Sequence, residues 1–169
     1  MRPVRDSAPA AWKMGNRCYG SGLTLQTARK MLAAAEKEAV RQGVPMVIAI
    51  ADSGGNLLAF ERMDQAILVS VQIAMDKAYT SVFGKQSTAR FGADYKAGSL
   101  VPLFFHERWI TFPGGFPLVK NGVILGGIGV SGGIGEDVFV ARAALEAGGF
   151  DTTEADEIIE SQAEASKPG

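Results

Sequence analysis

The chain contains one cysteine, Cys18, and one histidine, His106, among 169 residues. A single thiol excludes an internal disulfide framework, and a single imidazole excludes a histidine-built zinc centre, although carboxylates could still hold a cation. A catalytic thiolate at Cys18 would need a basic neighbour, and only Lys13 and Arg17 stand near it in sequence. The plainer reading is an ordinary free thiol, which suits a reducing cytoplasm. Neither sign of charge prevails: 17 basic against 18 acidic residues leave a formal net charge of −1. That balance gives no electrostatic footprint for nucleic acid or an anionic membrane. No run approaches the roughly 18 apolar residues of a membrane helix. Met1-Arg2-Pro3-Val4-Arg5 opens the chain without a following apolar stretch, which argues against a secretory signal. No repeat is visible.

What is present is ordinary globular composition, 47% hydrophobic and 21% charged, in a length that suits one domain. Residues 1–22 carry Pro3, Pro9, Gly15, Gly20 and Gly22 without a period and read as an arm. Residues 23–150 then form the domain, and 151–169 an acidic tail with a short helix at most.

Thr24 is a plausible N-cap, and Leu25, Ala28, Leu32, Ala35, Ala39 and Val40 recur at helical spacing until Gly43. Met46–Ala51, a five-residue turn and Leu57–Glu61 read as a hairpin, with the first strand covered on both faces. Ile67–Phe83 reads as a second helix. From Lys85 to Thr111 the pattern breaks, around short pieces such as Ala89–Tyr95, and such an irregular stretch is a natural place for function. Asn121-Gly122 joins Phe116–Lys120 to Val123–Val130 with the residues a two-residue turn demands. Glu136–Ala147 reads as the last long helix. Two hairpins among helices imply one antiparallel sheet with helices packed on it.

Several motifs have both a chemical and a plain reading. Gly127-Ile128-Gly129-Val130-Ser131-Gly132 spells GxGxxG, but it lies within a strand arriving from a hairpin, with no later strand to complete a βαβ unit. Strand glycines instead let a helix, a ligand or another backbone approach closely. Glu136 and Asp137 complement the dipole of the last helix and on that account need no further role. Ser131 sits in G-x-S-G-G, not in a nucleophile elbow.

Phe112-Pro113-Gly114-Gly115-Phe116-Pro117 frames two glycines whose backbone N–H groups, at Gly114 and Gly115, are candidates to receive an anionic or carbonyl oxygen. Lys77 interrupts an otherwise apolar helix, where a charge is costly unless paired, and Asp52 or Asp64 is its expected partner. His106 is the one side chain expected to titrate near neutrality unperturbed, which makes it a candidate acid or base. These residues outline a pocket between the irregular segment and the sheet. Lys77 and His106 are the candidate catalytic groups. Arg62, Lys77 and Arg108 would recognise charge, with Asp52, Asp64, Tyr79 and Phe112 completing the ligand site. The expected ligand is a small carboxylated or aromatic molecule, and an isomerase, lyase or hydrolase needing no cofactor is compatible with such groups.

Six segments in order resemble the GlcG/HbpS family, which includes the C-terminal domain of PduO-type proteins. They are Leu23-Thr24-Leu25, Ile50-Ala51-Asp52-Ser53-Gly54-Gly55, Phe60-Glu61-Arg62-Met63-Asp64, Asp76-Lys77-Ala78-Tyr79-Thr80, the proline-framed glycines and Gly126–Gly133. The resemblance spans about residues 23 to 148. It implies an α+β fold of profilin-like, three-layer type, an antiparallel five-stranded sheet flanked by helices. It also implies homo-oligomers from dimer to octamer, and haem binding in some members. The first helix here lacks a histidine, so haem iron would fall to His106, Tyr79 or a threonine.

Overall fold

The structure, a computed structural model, describes residues 22–98 and 107–165. Residues 1–21 of the arm, with Cys18, and the segment carrying His106 lie outside the described residues.

Helix α1 (Leu25–Gln42) starts where the Thr24 hydroxyl accepts the Thr27 N–H at 3.1 Å, and ends at Gly43 in the left-handed region. Strands β1 (Val47–Asp52) and β2 (Leu57–Arg62) form the first hairpin. Strands β3 (Gly115–Lys120) and β4 (Val123–Ser131) form the second, turning on Asn121 (φ 52°) and Gly122 (φ 75°), the positive angles that pair of residues suits. Helices α2 (Ser70–Gly84), α3 (Thr88–Lys96), α4 (Glu136–Gly148) and α5 (Thr153–Ala165) complete the described elements.

The sheet is antiparallel throughout, in the order β2-β1-β4-β3. Three layers result. One face of the sheet, with Met46, Ile48, Ile50, Phe116, Leu118, Ile128 and Val130, packs on α1 and α4. The opposite face packs on α2 through Val47, Ala49 and Ala51 against Ala74 and Ala78. The central strand β1 is therefore buried on both sides, as its unbroken apolar run requires.

Glycines set the distance of α2 from the sheet. A Cβ on Gly129 would run into the Ala74 carbonyl oxygen, and one on Gly127 would stand 2.5 Å from the Ala78 carbonyl oxygen. The literal GxGxxG is thus a groove for a helix backbone rather than for a pyrophosphate.

The structure corrects three expectations. Among the described residues the sheet has four strands, not five. The stretch after α2, expected to be irregular around short pieces such as Ala89–Tyr95, holds the nine-residue α3; at the sheet edge Pro117 leaves its strand without one donor, and the Asp151 N–H covers the Val119 carbonyl at 3.0 Å. The second helix begins at Ser70, leaving Ile67, Leu68 and Val69 as an exposed apolar turn before it. The acidic tail holds the 13-residue α5, whose Ala155, Ile158 and Ile159 pack on the core while Arg142 of α4 reaches Asp156 at 2.6 Å. Acidic composition concealed this apolar stripe at helical spacing.

Candidate functional site

Lys77 is 2% exposed, yet it borders a cleft. Its Nζ donates to Asp137 Oδ2 at 2.6 Å and to the Val130 carbonyl oxygen at 2.7 Å. The expected partners, Asp52 and Asp64, do not meet it. Asp52 is committed to the β1–β2 turn, where its Oδ1 accepts the Gly54 and Asn56 N–H groups at 2.8 and 2.9 Å. Asp64 lies exposed in the turn after β2. Asp137 was missed because a place in the first turn of a helix explains a carboxylate without any partner. The available signal was its neighbours: it precedes Val138-Phe139-Val140 and was as costly to bury alone as Lys77.

Local backbone holds the pair in place. Gly132 (φ 149°) and Gly135 (φ 122°) turn the chain sharply from β4 into α4, and the Gly133 N–H donates to Asp137 Oδ1 at 2.8 Å. Burial pushes the Asp137 carboxyl above the ordinary carboxylate range, with the attraction of Lys77 and the Gly133 N–H working against it. Burial likewise pushes the Lys77 amine below the ordinary lysine range, although Asp137 opposes the shift.

The cleft has a volume of about 520 Å³, within the usual range for a small-molecule site. Ile67, Ile73, Phe112 and Ile134 make its apolar walls, and Gln162 of α5 contributes to one side. Phe112 is 63% exposed at the rim. On the floor, the Ser131 hydroxyl donates to the Ser70 hydroxyl at 3.1 Å beside Lys77 and Asp137. Among the described residues no cluster of His, Cys, Asp and Glu has the makings of a metal site.

The remaining expected site residues divide around α2. Phe112 and Gly114 share the cleft region with Lys77, and a Cβ on Gly114 (φ 112°) would stand 3.1 Å from Nζ. Gly115 offers no free donor, because its N–H is already given to the Thr88 hydroxyl at 3.0 Å. Tyr79 and Arg108 belong to a different face of α2: the Arg108 guanidinium lies 4.0 Å from the Tyr79 ring centroid and its Nε donates to Asp76 at 2.8 Å. Gly55 of the Asp52 turn packs against Tyr79 and Phe83 there. Arg62 is exposed at the end of β2 and does not border the cleft. The single pocket expected from the sequence is therefore two clusters, one apolar with a charged floor and one an aromatic–guanidinium stack.

An antiparallel sheet sandwiched between one close-packed helix and a helical pair, with an apolar-walled cleft where the strand β4 runs into α4, defines an α+β class. The family model for the haem degrading protein HbpS-like matches residues 23–146, and the chain belongs to that family. An uncharacterised 15.0 kDa protein from the dhaT-dhaS intergenic region of Citrobacter freundii is 37% identical over 73% of this chain and 90% of its own length. The corrinoid adenosyltransferase PduO of the same organism is 36% identical over 74% of this chain, which spans only 38% of that enzyme. The solved structure of a PduOC–haem complex superposes with a TM-score of 0.72 at 30% identity, covering 77% of this chain and 97% of that one. Among the described residues no helix is long and apolar enough to cross a membrane.

Proposed function

We propose that this chain binds haem, with the porphyrin against Ile67, Ile73, Phe112 and Ile134 in the cleft above Lys77 and Asp137. The observation that carries the reading is the apolar-walled cleft of about 520 Å³ in a chain 30% identical to a domain solved with haem. Aliphatic and aromatic walls suit a flat macrocycle, whose burial from water is the main source of affinity.

The cleft fits the ring more completely than the iron. No histidine, cysteine, methionine or tyrosine is among the described residues that border it, and the Lys77 amine is engaged by Asp137. In this reading the iron ligand is His106, the chain's one histidine, which lies outside the described residues. Two residues after it, Arg108 is tied to α2 by its ion pair with Asp76 and by the Thr80 hydroxyl, which donates to the Arg108 carbonyl at 3.1 Å. Bound haem would supply an iron centre for oxygen or peroxide chemistry, while the chain's own part is to enclose the ring and hold the ligand. Neither the family nor the relatives lend support to a cofactor-independent isomerase, lyase or hydrolase.

Titration with hemin tests the proposal directly. A Soret band should sharpen and shift up to one equivalent, and His106→Ala should abolish the shift while leaving the circular dichroism spectrum unchanged. No shift at stoichiometric hemin overturns haem binding, and an unaltered shift in the variant overturns the ligand assignment.

Residence in the cytoplasm and self-association into dimers to octamers are part of the same proposal. The exposed side chains of Ile67, Leu68 and Val69 support the latter. Sedimentation velocity across micromolar concentrations should show an oligomer, and a monomer throughout would contradict it.

A further inference from the structure

Buried lysine–carboxylate pairs usually lie inside the core, where nothing can reach them. Here both partners border an open cleft. Two of the three donors that an ammonium offers are used, by Asp137 and Val130. Gly114 stands beside the amine, and a Cβ there would approach Nζ to 3.1 Å. Gly114 also has φ 112°, so the position strongly disfavours any side chain. A buried amine at the edge of an apolar cleft, with a carboxylate 2.6 Å away, has the parts of a carbonyl-capturing site.

We propose that Lys77 forms a reversible imine with an aldehyde or ketone whose apolar body lies along Ile67, Ile73 and Phe112. Asp137 takes one proton from the ammonium, leaving the neutral amine with its lone pair. That pair adds to the carbonyl carbon, and the carbonyl oxygen becomes a hydroxyl by accepting a proton as the nitrogen loses one. Asp137 then returns its proton to the departing hydroxyl, so that one water leaves and the C=N bond forms. Hydrolysis runs the same steps backwards, and no oxidant or reductant takes part. Burial lowers the Lys77 amine and raises the Asp137 carboxyl, the directions that ease this proton exchange. The Ser70–Ser131 hydroxyl pair on the floor offers the polar surroundings a carbinolamine needs. This inference does not rest on haem, since the hemin titration and the experiment below read different events.

The test uses the full chain, benzaldehyde and sodium cyanoborohydride at pH 7, which reduces any imine to a stable secondary amine. Peptide mapping by mass spectrometry then gives a rate for each lysine. Lys77 should be alkylated at least tenfold faster than the exposed Lys30, Lys37, Lys85, Lys96 and Lys120. Asp137→Asn should slow Lys77 at least tenfold and leave the exposed lysines unchanged. Ile73→Trp, which fills the cleft and leaves the ion pair intact, should slow it as well. Should Asp137→Asn fail to fold by circular dichroism, the wild-type ranking and Ile73→Trp decide. Lys77 labelled no faster than the exposed lysines, or labelled equally in folded Ile73→Trp, overturns the proposal.

Discussion

Replacing Lys77 by methionine is expected to destabilise the fold by about 3–5 kcal/mol, the usual cost of leaving one member of a buried ion pair behind. Lys77 and Asp137 have side chains only 2% and 6% exposed, and they join α2 to the start of α4 across the end of β4. Asp137→Ala should cost a similar amount, because the amine would then face only the Val130 carbonyl. Lys77→Met combined with Asp137→Leu should recover most of the loss, since apolar side chains of similar volume need no desolvation. Urea denaturation of the four proteins gives the coupling directly.

The pH dependence has a definite sign. Asp137 already titrates above its unfolded value through burial, and removing Lys77 takes away the attraction that opposes this. A carboxyl raised in the folded state contributes stability that is present at low pH and lost as pH rises through its folded value. The deficit of Lys77→Met relative to wild type should therefore shrink as pH falls from 7 to 5. A deficit below 1 kcal/mol at pH 7, or one that grows on acidification, would mean that water already screens the pair.

That pair marks the boundary of what sequence reasoning could reach. Contacts close in sequence were legible: the Asn121-Gly122 turn dictates its own hairpin, and the spacing from Leu25 to Val40 dictates α1. Lys77 stood out because a charge in an apolar helix demands a partner. Its partner lies 60 positions away, and sequence offers no measure of that distance in space. The expected partners, Asp52 and Asp64, do not meet Lys77, and Asp52 is already consumed by its turn. The clustering of Tyr79 with Arg108 apart from Lys77 follows from helical phase, because residues two apart on α2 point to different sides. Sequence suggested one pocket because it showed the residues and not their azimuth.

Gly129→Val is the second substitution with a large expected cost, and its mechanism differs. Gly129 has ordinary backbone angles, so the penalty is one of space alone. A Cβ there would overlap the Ala74 carbonyl oxygen and stand 2.5 Å from the Ala78 nitrogen and 2.9 Å from the Lys77 Cβ. The first two are backbone atoms of α2 that no rotamer change can move, so the helix itself must retreat from the sheet. Overpacking a core commonly costs 1–3 kcal/mol, and about 3 kcal/mol or more is expected where the obstacle is backbone. Retreat of α2 would also draw Lys77 away from Asp137, coupling the two large effects. Gly122→Ala provides the contrast: nothing lies within 4 Å of the added Cβ, and only its φ of 75° opposes a side chain. About 1 kcal/mol is expected there. Urea midpoints for both variants separate the two sources of strain, and a Gly129→Val protein as stable as Gly122→Ala would mean that α2 is not seated on the glycines of β4.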